Sequence, residues 1–301
     1  MIRRRVAIAI PARDEAAAIE ACVESLTKLY LDPRCEKPII VVVANNCKDA
    51  TARIAASRGA VAHSVRLPPE RAHAGWARRL ALEAASKHLH NRHDVLLSTD
   101  ADTLAAPDWL ARTLDHLDAG WDAVAGTARL NPCELRRLPR RHRRRLGMIR
   151  RYHKALDYLK SRQDGSEPWP RHFYEGGASI AVTYGAFRRI GEIPTPPAGE
   201  DKALFDAIRR AGGRVRHPLD VKVITSPRLT GRARGGASDT LALWGRQGED
   251  EPVWEINSIA ASLGFAGAPH TVTFRNLRHE TEKARALIAL ARTGADLAMA
   301  S

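Results

Sequence analysis

Short apolar runs alternate with helical patterns through the first half of the chain, and this alternation restricts the fold more than any other feature. The runs RVAIAI (5–10) and PIIVVVA (38–44) have the length and apolar content of buried strands. Segments 15–29 and 49–59, which follow them, have the residue spacing and end signals of helices. Such a chain folds into an α/β domain with a mostly parallel sheet and helices on both faces.

The alternation continues to about residue 130. We predict further strands at 60–67, 94–100 and 122–130, with helices at 73–89 and 107–120 between them. In a parallel sheet of this kind, ligands bind at the carboxyl ends of the strands. The polar residues that follow the strands should therefore converge, and these are residues 11–15, 45–46 and 100–102.

The rest of the chain has a different character. A basic stretch at about 134–162 has the pattern of a helical insertion, and from residue 237 onwards the pattern is again helical. We therefore expect a sheet domain over 1–236 that contains this insertion. A C-terminal helical segment, 237–301, should pack on that domain.

The segment DVLLSTDADTL (94–104) ends an apolar strand with two aspartates, Asp100 and Asp102. Two neighbouring carboxylates repel each other and attract Mg²⁺ or Mn²⁺, which prefer oxygen ligands. A helix cap formed by Asp102 or Thr103 is a simpler interpretation, but a cap needs only one such residue.

The same segment also fits the opening motif of haloacid-dehalogenase-like phosphatases, with Asp100 as nucleophile and Asp102 as general acid/base. Those enzymes need a second acidic pair after an apolar strand. The later acidic pair, Glu200-Asp201, instead follows the sequence TPPAG, which cannot form a central strand. The phosphatase therefore stays a secondary alternative.

The formal net charge of +14 is concentrated in ELRRLPRRHRRRLGMIRRYHK (134–154). Such a run attracts nucleic acid, an anionic membrane or an anionic small molecule, or it is only a solvated helix face. A nucleic-acid-binding module is a further alternative on charge alone. Aromatic residues make up only 5% of the chain and no zinc-ligand spacing occurs, so we expect no nucleic acid partner.

Five segments occur in an order that is typical of one enzyme family. They are IPARDEAAAIEACVESL (10–26), NNCKDAT (45–51), STDADT (98–103), EGGASIAVTYGAFRRIGEI (175–193) and GEDKALFDAIRRAGGRV (199–215). Together they resemble the family 2 type of glycosyltransferases, which have the GT-A fold. The resemblance covers roughly residues 5–236. It departs from the usual pattern at Asn45, where Asp is common, and at Glu192, where a second Gly is common.

The resemblance implies a soluble enzyme that moves a sugar from a nucleotide-diphosphate sugar to an acceptor hydroxyl, with inversion at the anomeric carbon and with Mg²⁺ or Mn²⁺ as cofactor. Asp102 would hold the metal, with Asp100 beside it on the nucleotide side. Asp201 would take the proton of the acceptor as catalytic base, and Glu200 would orient or contact the acceptor. Both acidic residues also suit a helix N-terminus for electrostatic reasons alone.

The same resemblance implies a donor site at the strand ends. The residues expected to cradle the nucleoside are Pro11, Arg13, Glu15 and Asn45. Arg78 would reach a phosphate, with His73 as a substitute in that role. An ordinary surface arginine is the alternative for Arg78.

Three later residues are weaker candidates. Arg232 and Arg234 lie in a Gly-rich segment that suits a loop closing over a diphosphate. His217 would be a third metal ligand or, more simply, a core histidine.

The cellular setting follows from what the sequence lacks. The four cysteines show no C-x-x-C spacing, the N-terminal apolar run is too short for a signal peptide, and no apolar run approaches 18 residues. We therefore expect a cytoplasmic enzyme that makes one linkage. The basic helix leaves open an anionic or lipid-linked acceptor and a peripheral contact with the inner face of an anionic membrane. Sequence identifies neither the acceptor nor the oligomeric state.

Overall fold

A computed structural model describes residues 3–264 and 271–292, which form two compact units. Of the described residues, the first unit comprises 3–131, 174–226 and 231–236, and the second comprises 132–173, 227–230, 237–264 and 271–292. The predicted division at residue 236, with a C-terminal segment packed on a sheet domain, stays a prediction. No helix in the described ranges is both long and apolar enough to cross a membrane.

All the strands of the described chain belong to the first unit. In chain order they are β1 (Val6–Ala12), β2 (Ile39–Asn45), β3 (Val61–Val65), β4 (Val95–Ser98), β5 (Thr103–Ala105), β6 (Ala123–Ala125), β7 (Thr127–Leu130), β8 (Ile180–Thr183), β9 (Val215–Arg216) and β10 (Lys222–Thr225). The main sheet has the order β3-β2-β1-β4-β8-β6-β9 and is parallel except for β8. The other three strands form a separate small sheet with the order β5-β10-β7.

The helices are divided between the two units. Those of the first unit are α1 (Ile19–Thr27), α2 (Thr51–Ser57), α3 (Ala74–Ser86), α4 (Trp109–Asp118), α7 (Tyr184–Arg189) and α8 (Glu200–Arg210). Those of the second unit are α5 (Pro132–Arg137), α6 (Arg140–Gln163), α9 (Ala237–Arg246), α10 (Ile259–Ser262) and α11 (Leu277–Arg292).

Alternating side chains of β1 build two separate cores. Ile8 and Ile10 are fully buried with α1 and α4 on one side of the main sheet. Ala7 and Ala9 are fully buried with α3 and α8 on the other side, where their small size lets Leu82 pack closely. The predicted mostly parallel sheet with helices on both faces is therefore confirmed.

The predicted single strand over 122–130 is wrong, because the chain changes sheets at Gly126. The Gly126 N–H donates to Ser179 O at 2.9 Å, whereas the next N–H, of Thr127, donates to Val221 O at 2.7 Å. A Cβ at position 126 would lie 2.1 Å from Ser179 Oγ, so only glycine fits this crossing. The run therefore forms β6 in the main sheet and β7 in the small sheet.

The helical predictions for the second unit hold only in part. The basic stretch forms two helices, because Pro139 has an extended backbone (φ −52°, ψ 144°) between α5 and α6. After residue 236 the described helices are α9, α10 and α11, and residues 247–258 between the first two are not helical. Residues 293–301 of the predicted C-terminal helix lie outside the described residues.

Candidate active site

The segments that follow β1 and β2 interlock at the carboxyl edge of the main sheet. The backbone N–H of Asp14 donates to Cys47 Sγ at 3.2 Å, and the Asp14 carboxylate accepts the N–H of Lys48 at 2.6 Å. Next to them, the buried Glu15 donates its backbone N–H to Thr51 Oγ1 at 2.8 Å. The structure thus brings together two of the three polar segments that were expected to converge.

The third segment, which contains both aspartates, is a turn that is anchored at each end. Before the turn, Thr99 donates its N–H to Ala9 O at 3.2 Å. After the turn, Thr103 donates its N–H to Asp100 O at 3.1 Å, and its hydroxyl donates to Thr225 Oγ1 of the small sheet at 3.0 Å. Asp100 and Asp102 are therefore held where β4 of the main sheet passes into β5.

A buried cysteine donates a hydrogen bond to the backbone of this turn. The thiol of Cys22, on α1, donates to Asp100 O at 3.5 Å. Burial is the main cause, and the negative charge of Asp102 the second, of a rise in the pKa of the Cys22 thiol to about 12. The Cys22 thiol is thus neutral and contributes packing. In the sequence, only the helical spacing of the apolar residues of α1 indicated that Cys22 is buried.

Arg78 of α3 joins this turn to the N-terminus of α8. Its side chain is only 7% exposed, and it donates from Nη2 to Asp100 Oδ1 at 2.7 Å and from Nε to Glu200 Oε1 at 3.1 Å. Nη1 donates to Ser98 Oγ at 2.9 Å and to Gly177 O at 3.2 Å. Four of the five N–H groups of a guanidinium are thereby used within the protein, so Arg78 is a buried connector and not an ordinary surface arginine.

Arg78 remains protonated although it is buried. Burial by itself lowers the pKa of Arg78, but the carboxylates of Asp100 and Glu200 more than offset that effect and raise the pKa above its ordinary value. The guanidinium therefore stays ionised and compensates two acidic groups at once.

Gly177 leaves the space that Arg78 occupies. A Cβ at this position would lie 2.0 Å from Nη2 of Arg78 and 3.1 Å from Oδ1 of Asp100. The only sequence signal for this close approach is the glycine pair at the start of the segment EGGASIAVTYGAFRRIGEI.

We expect Gly177→Ala to destabilise the protein by roughly 1–3 kcal/mol, because the methyl group displaces the Arg78 guanidinium from both carboxylates. Urea denaturation measures the change. Gly165→Ala is the matched control, since a Cβ there meets no atom within 4 Å. Equal stability of the two variants would contradict the tight fit around Arg78.

Glu200 and Asp201 open α8 after Gly199, which has the left-handed backbone (φ 71°) that favours glycine. Glu200 is 8% exposed and binds Arg78, whereas Asp201 accepts the N–H of Lys202 at 2.8 Å. Burial raises the pKa of the Asp201 carboxyl, and repulsion by Glu200 raises it further, while Arg78 opposes both. Asp201 therefore binds a proton more readily than an ordinary aspartate does.

The expected donor-site residues lie along the ends of β1 and β2. Asn45 is 4% exposed, and its Oδ1 is buried without a hydrogen-bond partner among the described residues. Pro11 lies in β1 beside Val43 of β2. Arg13 is half-buried and donates from Nη1 to Ala72 O at 3.0 Å. An orphan buried oxygen is costly unless a ligand donates to it, so Asn45 fits a contact with a bound molecule.

The arginine-rich segment after β10 also reaches this edge. Arg232 donates from Nη2 to Asp14 O at 2.9 Å and from Nε to the same oxygen at 3.2 Å. Gly235 lies close to Ala198, in the loop before α8. Arg232 and Arg234 therefore belong to a segment that lies beside both the β1 exit and the acidic pair.

His217 has a partner that sequence reasoning missed. Its Nε2 is 2.9 Å from Oε1 of Glu175, and Arg209 of α8 also pairs with that carboxylate. Burial would raise the pKa of Glu175, but His217 and Arg209 hold it below its ordinary value. These contacts fix the residue that precedes Gly176 and Gly177, and the role of His217 as a metal ligand stays a prediction.

The acidic turn suits a divalent cation. Asp100 and Asp102 offer carboxylate oxygens, which Mg²⁺ and Mn²⁺ prefer as ligands. The hydrogen bond from Arg78 to Asp100 uses Oδ1, so Oδ2 is not engaged by that bond. A second group, Asp14, Cys47 and Asp49, also has ligand atoms within 4.8 Å of one another. The carboxylates of that group already accept hydrogen bonds from backbone N–H groups. Their role is therefore better described as joining the segments that follow β1 and β2.

Comparisons with known proteins give the same fold. The model of glycosyl transferase family 2 matches residues 7–181, more than half of the chain. A mannosyltransferase of Pyrobaculum calidifontis, PcManGT, solved with GDP-Man and Mn²⁺, is 20% identical, with a TM-score of 0.53 over 100% of this chain and 79% of that one. TarS 1-349 of S. aureus, solved with UDP-GlcNAc, is 15% identical, with a TM-score of 0.53 over 76% of this chain and 60% of that one. No curated protein matches the sequence.

Proposed function

The chain belongs to glycosyl transferase family 2, and we propose that it transfers a sugar from a nucleotide-diphosphate sugar to an acceptor hydroxyl with inversion. The observation that carries this proposal is the buried Arg78, which bonds both Asp100 and Glu200. It ties the acidic turn expected to face the donor to the helix that carries Asp201. Family membership also favours this reaction over the phosphatase alternative.

On the donor side, Asp102 and Asp100 would hold Mg²⁺ or Mn²⁺. The bound ion would neutralise charge that develops on the diphosphate leaving group. Asn45, with its orphan oxygen, would accept a hydrogen bond from the nucleoside, and Pro11, Arg13 and Glu15 would complete the cradle. The GDP-Man with Mn²⁺ and the UDP-GlcNAc in the two similar structures support a donor of this class.

On the acceptor side, Asp201 would act as the base. The acceptor oxygen forms a bond to the anomeric carbon as the bond from that carbon to the diphosphate breaks, and the hydroxyl proton passes to the Asp201 carboxylate. Attack from the face opposite the leaving group inverts the configuration. Glu200, held by its salt bridge to Arg78, would orient or contact the acceptor.

The acceptor is proposed only by class. An anionic or lipid-linked hydroxyl compound would suit the basic α6, where seven arginines occur between Arg140 and Arg151. A cytoplasmic location and a peripheral membrane contact are proposals that rest on composition alone. Co-sedimentation with anionic vesicles tests the contact, and no binding at low salt would exclude it.

Calorimetric titration of UDP and GDP, each with and without Mn²⁺, tests the proposed donor class. We expect one of them to bind more tightly with Mn²⁺, and Asp102→Ala to remove at least about tenfold of that metal-dependent affinity. Asp108→Ala is the control, because Asp108 is an exposed carboxylate that pairs only with Arg112 in the described chain. The proposal fails if neither diphosphate binds in either condition.

A further inference from the structure

Two pairs of arginines line a cleft in the second unit, and none of its lining residues belongs to the acidic turn, the Glu200-Asp201 pair or the donor-site residues described above. The cleft has a volume of about 790 Å³ and lies along α6 and α11. Arg144 and Arg151 are seven residues apart on α6, and Arg278 and Arg285 have the same spacing on α11. A separation of seven residues returns a side chain to the same helix face, so each helix presents two guanidinium groups to the cleft.

The packing of the two helices holds these groups in place. Ile149 and Leu156 of α6 and Leu277 and Ala284 of α11 belong to one buried apolar cluster, in which Ala284 is fully buried. The arginines therefore project from a packed helix pair, and the cleft shape is part of the core geometry of this unit. Met148 adds an apolar surface to its wall.

Most of the other charges at the cleft already have partners. Arg275 binds both carboxylate oxygens of Asp250. Glu249 accepts a hydrogen bond from Arg145 at 2.7 Å, and burial beneath Phe274 fixes that arginine, whose side chain is 2% exposed. These pairs leave little net charge of their own.

Three other arginines of the cleft are not engaged in such pairs in the described chain. Within the described residues, Arg144, Arg151 and Arg285 have no salt-bridge partner, and all three are exposed. Arg278 pairs with Glu282 at 3.1 Å, but its side chain is 86% exposed, so that pair is weak and easily exchanged. Like charges gathered at one concave surface repel each other, and an anion that bridges them removes the repulsion.

We propose that this cleft binds a phosphate-bearing ligand. Guanidinium groups form paired hydrogen bonds with phosphate oxygens, and several of them converging from two helices match a phosphomonoester or diphosphate better than a single carboxylate. The ligand is either a free phosphate compound or the headgroup of an anionic lipid, since both present the same chemistry.

The test uses the full chain in EDTA, so that metal-dependent donor binding does not contribute. Inorganic pyrophosphate is titrated calorimetrically, and vesicles of phosphatidylcholine with and without phosphatidic acid are used for co-sedimentation. The cleft variant is Arg144→Ala, Arg151→Ala, Arg285→Ala. Its control is Arg140→Ala, Arg143→Ala, Arg162→Ala, which removes the same charge from exposed, unpaired positions of α6 outside the cleft.

We expect binding of one or both probes that weakens more than about tenfold in the cleft variant and changes less than about threefold in the control variant. Pyrophosphate binding identifies a free phosphate compound as the ligand, and binding to phosphatidic acid vesicles alone identifies a lipid headgroup. Equal losses in the two variants would mean nonspecific attraction and would overturn the proposal. Absence of binding to either probe would overturn it as well.

Discussion

Asp201→Asn is expected to lower kcat by about 10²–10⁴-fold, the usual contribution of a general base, while the Kd for the nucleoside diphosphate stays unchanged. Asparagine keeps the size of the side chain but cannot accept the acceptor's proton. The bonds from Arg78 to Asp100 and Glu200 do not involve Asp201, so the donor side is left intact. Single-turnover kinetics and calorimetry separate the two effects.

Stability provides an internal check on this variant. Because the folded-state pKa of Asp201 lies above its ordinary value of 3.8, its stabilising contribution is full below that value and is lost as pH rises through the folded-state pKa. At neutral pH the charged carboxylate is therefore unfavourable, and Asp201→Asn should be at least as stable as the parent chain. Asp206→Asn is the control, because Asp206 is exposed on the same helix. We expect this variant to have nearly the stability and the kcat of the parent chain. A parent-like kcat for Asp201→Asn would exclude this residue as the base.

The pH profile of kcat should carry the same signature. The base works only when ionised, so kcat should fall as pH drops through the pKa of Asp201, which lies above the ordinary value of an aspartate. Burial is the main cause of the raised pKa that sets this limb; the charges of Glu200 and Asp100 raise the pKa further, and Arg78 lowers it. Loss of this acidic limb is expected in Asp201→Asn and not in Asp206→Asn.

The strand ends and the two acidic motifs were predictable because each depends on a short stretch of chain. An apolar run followed by a polar turn identifies a strand exit without knowledge of its neighbours. The order of β1, β2 and β4 then brings residues 11–15, 45–46 and 100–102 to one edge.

The connections between these motifs were not predictable, because they join residues far apart in sequence. Arg78 bonds Asp100 and Glu200 across 22 and 122 residues, and the helical pattern of α3 gives no sign that it is buried. The antiparallel β8 and the change of sheet at Gly126 likewise depend on partners that only the tertiary fold supplies. The short arginine runs of α6 (140–141, 143–145 and 150–151) look uniform in sequence, yet Arg145 is buried and Arg144 is exposed.

The largest effect on stability is expected from Arg78→Met, which should lower the free energy of unfolding by about 3–5 kcal/mol. Methionine fills much of the same volume but leaves Glu200, whose side chain is 10% exposed, as a buried carboxylate without its cation. Asp100 adds less to this cost, because its side chain is 36% exposed and water can solvate it. Urea denaturation at neutral pH measures the change.

Arg79→Met is the matched control for this prediction. Arg79 is the next residue of α3 and pairs with Glu83 and Glu192, but those carboxylates are 43% and 81% exposed, so its loss should cost no more than about 1 kcal/mol. If desolvation of Glu200 is the cause, Arg78→Met combined with Glu200→Gln should recover part of the lost stability, since a neutral amide needs no counter-charge. Equal costs at positions 78 and 79, or no recovery in the double variant, would show that Arg78 does not act by compensating the buried carboxylate.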